Sequence, residues 1–366
     1  MVVAELLRAQ RRWLARWRLA AGLALAGGIV AGTGCEADRD QDLLVAVPGA
    51  QQPANFPAMV YGLETNVPDA ATFELGRQLF YDPRFSSDGT VSCGSCHQSF
   101  AAFAHSGHRL SHGVGGQLGT RNAPALQNLR WRQSFMADGG VLGLELQALA
   151  PLTDPREMHL SLADALAKLN ADAEYRRRFA AIYGPGTIDT PQFLRALAQF
   201  TAALTSSNSR YDHHVRHEAG GTFTSQETQG RALFGAKCAS CHATDLFTDE
   251  SYRNNGLDRS FPTDSGRAHI TARPTDVGRF KVPSLRNVVR TAPYMHDGRF
   301  ETLAQVLAHY DHGVVPSRTL DPLLRQPNGR LGIPLTAQEQ VDLLAFLNTL
   351  TDNTFLTDRR LMQPQP

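Results

Sequence analysis

Two short stretches, Cys93-Gly-Ser-Cys96-His97 and Cys238-Ala-Ser-Cys241-His242, decide how this chain folds. Both follow the pattern Cys-x-x-Cys-His, in which two thiols one helical turn apart reach the two vinyl groups of a haem. The histidine that follows lies under the iron as its proximal ligand. The alternative is a zinc or redox cysteine pair, but two copies that each end in histidine favour haem. The sequence therefore predicts two covalent c-type haems.

An internal duplication surrounds these two motifs. Gly76-Arg77-x-Leu79-Phe80 precedes the first motif, and Gly230-Arg231-x-Leu233-Phe234 precedes the second. Downstream, both halves carry a Pro-x-Leu-x-Asn element, followed at the same interval by Met-x-Asp-Gly, which begins at Met136 and at Met295. Equal spacing over several identities indicates two related haem-binding units.

The remaining sequence favours helices. Apolar residues recur at helical spacing over 70–80, 161–181, 191–206 and 337–350, and long alternating strand patterns are absent. We therefore expect an all-α protein of two tandem cytochrome c-like domains with irregular loops and one covalent haem each. The expected divisions are a signal at 1–35, a Pro-rich linker or arm at 36–68, an N-terminal haem domain at 69–213, a C-terminal haem domain at 214–355 and a tail at 356–366.

The first 35 residues are typical of an export signal. Arginines come first, an apolar run of residues 19–31 follows, and small residues precede Cys35. The run is too short for a comfortable membrane span, although a retained signal anchor remains the alternative. Cys35 is the one cysteine outside the haem motifs and lies where a bacterial lipoprotein is cleaved and acylated. We expect a periplasmic protein anchored through Cys35.

Charge and composition narrow the class of partner. Apolar residues make up 42% of the chain and charged residues 19%, which is normal for a soluble globular protein. The formal net charge is +1, and residues 1–34 hold five arginines against one glutamate, so the body that remains is mildly acidic. Nucleic acid is therefore not an expected partner.

The repeat predicts that the two haems differ on their distal sides. Tyr310 lies fifteen residues after Met295, and Pro151 lies fifteen residues after Met136. If the halves superpose, the second haem faces a side chain that can bind iron, and the first faces one that cannot. The first haem is then open to a small oxidant, which a peroxidase needs and an electron carrier does not.

Two polar residues lie near Pro151 in the sequence. Glu157 can take a proton from the inner oxygen of a bound peroxide and return it to the leaving oxygen, if its pocket is dry enough to raise its pKa. Gln147 can orient the peroxide or a water. The alternative for Glu157 is an ordinary acidic residue at a helix start.

Residues 70–352 resemble the bacterial di-haem cytochrome c peroxidases and their relative MauG, the di-haem enzyme of methylamine utilisation. Besides the haem motifs, the resemblance rests on Gly119–Pro124, Asp154–Met158, Val282–Asn287 and Ala292–Gly298. It implies that the N-terminal haem reduces hydrogen peroxide. The C-terminal haem then passes on electrons from a small periplasmic c-type cytochrome or cupredoxin. A homodimer is compatible with it.

Site residues are carried over by motif. The resemblance implies that Glu157 is the catalytic acid–base, with Gln147 as its neighbour. It also implies a calcium ion between the domains, held by the Asn122 side chain and the carbonyls of Thr291 and Pro293, and hard oxygen ligands of this kind suit calcium.

The distal ligand of the second haem raises the main functional question. Ordinary di-haem peroxidases have methionine at the place that corresponds to Tyr310, and MauG-like members have tyrosine. A tyrosinate ligand lowers the potential of the haem, whereas methionine raises it. The alternative function is therefore a MauG-like enzyme that oxidises side chains of a partner protein through a high-valent di-haem state. A third alternative is a non-enzymatic electron-transfer cytochrome.

Two positions depart from the family pattern. His112 is the best match to the distal histidine that closes the first haem at rest in many peroxidases, but a polar loop histidine is the alternative. The tryptophan that commonly lies between the haems is replaced by Ala137, and Trp131 is close in sequence without being equivalent.

Overall fold

The computed structural model describes residues 47–62 and 64–365, which form mostly helices joined by irregular loops. The expectation of a mainly helical protein is confirmed. The α-helices are α1 Ala70–Tyr81, α2 Cys93–Cys96, α3 Leu144–Gln147, α4 Leu149–Thr153, α5 Leu162–Ala171, α6 Ala173–Tyr183, α7 Thr190–Ala202, α8 Arg210–Val215, α9 Ser225–Lys237, α10 Ala268–Thr271, α11 Leu303–Ala308, α12 Ala337–Asn348 and α13 Asn353–Thr357. Within the described ranges the strands are β1 Tyr252–Arg253 and β2 Phe280–Lys281, which pair antiparallel.

Short helical turns occupy many of the loops. The 3-10 turns are Pro83–Phe85, Ser99–Ala101, Val114–Gly116, Leu129–Trp131, Pro274–Asp276, Val288–Arg290 and Pro322–Leu324. A π-helical turn, His309–Gly313, directly continues α11. Turns of this kind inside or after an α-helix are rare and frequently lie at functional sites.

The helix predicted over 161–181 is two helices. Asp172 is extended, with φ −84° and ψ 120°, so the helical hydrogen-bond ladder stops at this residue. Its carboxylate accepts hydrogen bonds from the backbone N–H groups of Glu174 and Tyr175, and it thereby caps the start of α6. The apolar periodicity continues across the break, which is why the sequence pattern did not reveal it.

The repeated glycine of the two halves lies where two helices cross closely. A Cβ atom added at Gly76 in α1 would lie 2.0 Å from the carbonyl oxygen of Ala196 in α7. A Cβ atom added at Gly230 in α9 would lie 2.0 Å from the carbonyl oxygen of Asp342 in α12. Both halves therefore use glycine for the same close helix pair, in agreement with the duplication seen in the sequence.

Each half has its own aromatic core. The cores are built on mutually packed phenylalanines, namely Phe80, Phe103 and Phe200 in the first half and Phe234, Phe247 and Phe346 in the second. Ring centroids are 4.9–6.3 Å apart in the first triad and 5.2–6.1 Å apart in the second. Edge-to-face and tilted contacts at these separations are favourable for aromatic rings.

A buried polar network joins the two halves. Asn128 and Asn287 match each other in the repeat. The Asn128 side-chain amide donates to the Ser206 carbonyl oxygen, and the Asn287 side-chain amide donates to the Ser206 hydroxyl oxygen. Arg286 forms an ion pair with Asp212 at 2.7 Å, and both side chains are 0% exposed. Buried charges persist only when they are paired and hydrogen-bonded, so this network fixes how the halves meet.

The arm that precedes α1 is part of the folded body. We expected order to begin near Pro68, but Val47, Ala50 and Tyr61 are buried in the first core. Phe56 packs edge-on against Trp131, with ring centroids 5.0 Å apart, and stacks under the Arg286 guanidinium at 4.3 Å. The expected signal and the proposed lipid site at Cys35 lie outside the described residues.

The C-terminal residues return to the first half. We expected the second domain to run to residue 355 and a tail to follow it, but Phe355, Leu356 and Leu361 are buried in the first core. The Tyr81 hydroxyl donates to the Leu361 carbonyl at 2.8 Å, which ties the last residues to α1. Among the described residues, no helix has both the length and the apolar character needed to cross a membrane.

Candidate functional site

The first haem motif begins at a capped helical turn. The Ser92 backbone N–H donates to the Ser95 hydroxyl, which starts α2 at Cys93, and His97 follows the helix as its C-cap. The His97 Nδ1 atom lies 2.7 Å from the Phe103 carbonyl oxygen. A carbonyl only accepts, so Nδ1 carries the proton and Nε2 is left free to bind iron. Burial lowers the pKa of His97, which favours the neutral, iron-binding form.

The second motif repeats this arrangement. Cys238 ends α9, and the His242 Nδ1 atom lies 3.1 Å from the Phe247 carbonyl oxygen. Phe103 and Phe247 belong to the equivalent aromatic triads, so each core directly orients one proximal histidine. Holding Nδ1 in this way is the usual means by which a protein fixes a histidine ligand.

The motif cysteines form no disulfide and lie in apolar surroundings. Burial raises the pKa of Cys93 to about 12 and that of Cys238 to about 12. Redox and metal-binding cysteines have lowered pKa values, because the thiolate is the reactive form. Nowhere in 47–62 or 64–365 are three or more His, Cys, Asp or Glu side chains grouped to hold a metal ion. The zinc or redox alternative is therefore not supported.

Both motifs line one continuous cavity of about 1430 Å³. Pockets for drug-sized ligands measure roughly 300–1,000 Å³, so this cavity is larger than one such ligand requires. Both proximal histidines and all four motif cysteines border it. The size and the donor set fit a haem at each motif.

The part of the cavity around the first motif is called the first pocket, and the part around the second motif the second pocket. The wall of the first pocket contains both residues predicted near Pro151, and Glu157 lies close enough to Cys93 and Cys96 to raise the pKa of both thiols. Gln147 at the end of α3, Pro151 in α4 and Glu157 line the cavity together with His97. The Ser111 hydroxyl donates to Glu157 Oε1 at 3.3 Å. Burial and the nearby Asp154 carboxylate raise the pKa of Glu157, and the Ser111 hydrogen bond partly opposes this rise. A raised pKa suits a carboxyl that exchanges protons near neutral pH.

Tyr310 lies in the wall of the second pocket. It belongs to the π-helical turn and borders the same cavity as His242. Burial raises the pKa of Tyr310 to about 12, and hydrogen bonding from the Asn255 side chain opposes the rise. The Asn255 Nδ2 atom also donates to the Met295 sulfur at 3.3 Å. Tyr310 and Pro151 therefore border the same cavity, and their equivalence in the two halves stays a prediction.

His112 belongs to a cluster of three histidines at the cavity wall. Its ring packs edge-on to His108 at 4.7 Å and to His105 at 5.7 Å. Burial, followed by the charges of His108 and His112, lowers the pKa of His105 to about 4. His112 borders the cavity next to Cys96, whose sulfur lies 3.6 Å from the His112 carbonyl. Ligation of iron by His112 stays a prediction.

The three residues predicted to hold calcium line the same cavity. The Asn122 Nδ2 atom donates to the carbonyls of His108 at 2.9 Å and Arg109 at 3.1 Å, and its backbone N–H donates to His296. These bonds leave the Oδ1 atom of Asn122 for a cation, and the carbonyls of Thr291 and Pro293 are the other expected ligands. Calcium stays a prediction.

Ala137, where the resemblance implies a tryptophan in relatives, packs beside Lys281. Both border the cavity, and the Lys281 backbone N–H donates to the Ala137 carbonyl at 2.8 Å. Burial lowers the pKa of Lys281 to about 8, while the carboxylate of Glu250, 3.2 Å from Nζ, opposes this. Trp131 instead donates its Nε1–H to the Pro57 carbonyl and anchors the arm.

Sequence reasoning missed Ser111, Asn255 and Lys281 as members of the site. Ser111 is 46 residues from Glu157, and Asn255 is 40 residues from Met295, so no local pattern links the partners. A signal existed only in the repeat: Ser111 and Asn255 each lie eight residues after the phenylalanine whose carbonyl holds the proximal histidine.

Comparisons with known proteins agree with this geometry. A family model described as "Di-haem cytochrome c peroxidase" matches residues 70–220. The methylamine utilization protein MauG of Methylorubrum extorquens is 34% identical over 281 residues, covering 75% of this chain and 77% of that protein. The cytochrome c551 peroxidase of Nitrosomonas europaea is 32% identical over 238 residues, covering 64% and 71%.

A solved structure gives the same result for the fold. The crystal structure of a MauG-like protein associated with microbial copper homeostasis superposes with a TM-score of 0.77 and 35% sequence identity. The match covers 86% of this chain and 98% of that one, so it includes both halves and the segment that joins them.

Proposed function

Because the chain belongs to the di-haem cytochrome c peroxidase family, we propose that it reduces hydrogen peroxide to water in the pocket of His97. It is an oxidoreductase that uses peroxide, like its curated relatives. One haem c is attached at Cys93 and Cys96 and the other at Cys238 and Cys241. Their irons supply the redox chemistry when bound.

The observation that supports this assignment is that Pro151 and Tyr310, fifteen residues after the matching methionines of the repeat, both border the cavity. The first pocket presents Pro151, which cannot bind iron, beside Glu157 and Gln147, which can handle protons and hydrogen bonds. The second pocket presents Tyr310, which can close it. Peroxide therefore enters the first pocket, and the second serves as the electron partner.

The side chains of the first pocket have separate tasks. The Glu157 carboxylate takes the proton from the inner peroxide oxygen and returns it to the outer oxygen, which then leaves as water. The Ser111 hydroxyl keeps that carboxylate oriented toward the pocket. The Gln147 side-chain amide holds the peroxide or a water in place.

Replacement of the acid–base group tests the proposal. In Glu157→Gln the amide keeps the shape of the side chain but cannot exchange the proton, so kcat for peroxide should fall by about 10²–10⁴-fold. Steady-state turnover with a soluble electron donor is the measurement. The exposed Glu301 offers a matched control, and Glu301→Gln should leave the rate unchanged. An undiminished rate in Glu157→Gln, or no turnover by either the as-isolated or the pre-reduced enzyme, would sink the proposal.

Tyr310 favours a second candidate function, the oxidation of side chains on a partner protein. A tyrosinate at the second haem lowers its potential, which makes it a poor acceptor from a high-potential cytochrome. The MauG relatives are named for methylamine utilisation, and this chain is 31–34% identical to them. The test is the lifetime of the oxidised state that peroxide produces in the absence of a donor. A state that persists in the parent enzyme and is lost in Tyr310→Met supports this candidate, whereas rapid decay in both contradicts it.

The donor, the compartment and the cation complete the proposal. Electrons come from a small c-type cytochrome or a copper protein in the periplasm, where the chain is held by a lipid on Cys35. A calcium ion joins Asn122 of the first half to the carbonyls of Thr291 and Pro293 of the second. The support for calcium is the shared cavity wall and the free Asn122 Oδ1 atom.

A further inference from the structure

Each half of the molecule presents one tight turn to the other half. The turns contain the repeated Met-x-Asp-Gly element and are termed the first turn (residues 134–139) and the second turn (residues 293–298). In the first turn, the Ala137 carbonyl accepts the backbone N–H of Lys281 at 2.8 Å. In the second turn, the His296 carbonyl accepts the backbone N–H of Asn122 at 2.8 Å. Asn122 and Lys281 are equivalent positions, because each lies two residues before the proline of Pro-x-Leu-x-Asn.

Two arginines repeat this exchange at the next residue of each turn. The Arg267 Nη1 atom donates to the Asp138 carbonyl of the first turn at 2.7 Å. The Arg109 Nε atom donates to the Asp297 carbonyl of the second turn at 3.3 Å. Each arginine belongs to the half opposite the turn that it contacts. The halves therefore meet through two reciprocal contacts, one at each turn.

The two contacts differ in the side chain at the equivalent position, which is an amide in Asn122 and an ammonium in Lys281. The Lys281 Nζ atom donates to the Ser134 carbonyl, to the Ser134 hydroxyl at 2.8 Å and to the Glu250 carboxylate at 3.2 Å. The side chain of Lys281 is only 5% exposed. Lysine is almost never buried to this extent unless it is paired. The first contact thus encloses a positive charge among oxygen atoms.

The oxygen atoms around this charge correspond to those expected around the calcium ion. Ser134 and Pro293 are equivalent positions, each two residues before the methionine of its turn. The Ser134 carbonyl accepts from the Lys281 ammonium, and the Pro293 carbonyl is an expected calcium ligand together with the Asn122 Oδ1 atom. Carbonyl and carboxylate oxygens are also the ligands that calcium prefers. The ammonium therefore lies where the repeat would place a second ion.

We propose that Lys281 is a positioning residue whose ammonium serves the first contact as the calcium ion serves the second. This inference rests on the calcium site proposed at Asn122. The first turn carries Met136 and Ala137, which both border the cavity, so Lys281 fixes this part of the wall without a metal ion. It follows that each chain binds one calcium ion, and that a chelator loosens the second contact and leaves the first intact.

The calcium content of the holoenzyme tests the equivalence without any turnover. Lys281→Asn makes the first contact resemble the second, because an amide oxygen joins the oxygens of Ser134 and Glu250. Its calcium content at millimolar calcium should rise from one ion per chain to two. Lys281→Met removes the ammonium and supplies no oxygen, so its content should stay at one. Lys168→Met is the matched control, since Lys168 also donates to two carbonyls but is exposed.

Denaturant unfolding with calcium or with a chelator is the second measurement. Lys281→Met should raise the unfolding equilibrium constant about ten-fold or more, the effect of losing a hydrogen bond from a charged group. Added calcium should not reverse this loss. In Lys281→Asn, added calcium should bring the constant back toward the parent value. Parental stability of Lys281→Met would overturn the role of the ammonium, and one calcium ion per chain in Lys281→Asn would overturn its equivalence with the ion.

A third measurement uses the parent enzyme and so does not depend on the folding of any variant. The chain has three lysines, and Lys168 and Lys237 are more exposed than Lys281. Reductive methylation mapped by mass spectrometry should modify these two and spare Lys281, with calcium and with chelator alike. Modification of Lys281 after chelation would contradict a contact that needs no metal ion.

Failure of the calcium site gives a different result from failure of this inference. If the parent enzyme binds no calcium, the proposed site at Asn122 fails. If the parent binds one ion that is lost in Asn122→Ala, while both Lys281 variants match the parent in calcium content and stability, the calcium site stands and only the role of Lys281 is rejected.

Discussion

Glu157 is a half-buried carboxyl whose protonation is set by opposing neighbours. Burial and the Asp154 charge raise its pKa, and the Ser111 hydrogen bond lowers it. To act as a base toward peroxide, Glu157 must be ionised. The rate kcat/KM should therefore fall as the pH drops through its raised pKa. Asp154 and Ser111, which act on the pKa of Glu157, thus help to set the lowest pH at which the enzyme works.

Removal of the Ser111 hydroxyl should move this limit. Ser111→Ala takes away a hydrogen bond that favours the ionised carboxylate, so the pKa of Glu157 should rise further and the acid limb of kcat/KM should shift to higher pH. The rate at alkaline pH should change little. Ser87→Ala, on the exposed surface, is the control and should leave the limb in place. A limb that stays put or moves to lower pH in Ser111→Ala would argue against Glu157 as the base.

At the scale of elements, the two halves repeat one helix crossing. The glycine of Gly-Arg-x-Leu-Phe lets α1 approach α7 and lets α9 approach α12, since a side chain there would overlap a backbone carbonyl. This packing places the phenylalanine four residues later in each aromatic triad, next to the carbonyl that holds the proximal histidine. In each half the close helix crossing therefore helps to fix the orientation of the proximal histidine.

Substitution of the second crossing glycine should be costly. In Gly230→Ala the new methyl group meets the Asp342 carbonyl carbon and oxygen, and the overlap should reduce the free energy of unfolding by about 1–3 kcal/mol. Gly235, in the same helix α9, has no neighbouring atom within 4 Å of an added Cβ. Gly235→Ala should instead stabilise the protein by up to ~1 kcal/mol through helix propensity. Denaturant unfolding of both variants is the measurement, and equal effects would refute the close-crossing argument.

Local sequence signals made the helices predictable, whereas contacts between residues distant in the sequence could not be predicted. Capping residues such as Asp69, Thr224 and Thr336 mark helix starts in the sequence itself. Asp172 is also a cap, but the apolar spacing on either side conceals it. In the site, the repeat pointed to Pro151 and Tyr310 as a contrasting pair. The partners Ser111 and Asn255 could not be seen, because they meet their targets only through the fold.

At the scale of the whole molecule, the halves, the arm and a buried charge form one unit. Asp212 accepts hydrogen bonds from Arg286 of the second half and from Asn55 of the arm. Burial alone would raise the pKa of Asp212, but the hydrogen bond and charge of Arg286 together with hydrogen bonds from Ser209 and Asn55 outweigh it, and the pKa falls to about 2. A lowered pKa means that folding favours the ionised form.

The Asp212–Arg286 ion pair should make a large contribution to the free energy of unfolding, and that contribution should be lost at acid pH. Asp212→Asn leaves Arg286 buried without a countercharge, which should reduce the free energy of unfolding by about 3–5 kcal/mol at neutral pH. In the parent protein this contribution is complete above the unfolded-state pKa of about 3.9, and it is lost as the pH falls from there toward 2. Asp258→Asn, which breaks a partly exposed pair with Arg299, should cost less than about 1 kcal/mol. Denaturant unfolding as a function of pH measures both variants, and similar losses would contradict this ranking.

The return of the C-terminal segment has a consequence for the order in which the molecule is made. Phe355 packs against Phe103 at 5.8 Å, and Leu361 is tied to α1, so the first core contains the last residues of the chain. A ribosome delivers those residues after both halves have been made. The half that is translated first is therefore completed only after the second half, and until Phe355 has been made, Phe103, whose carbonyl holds the His97 ring, lacks one of its packing partners.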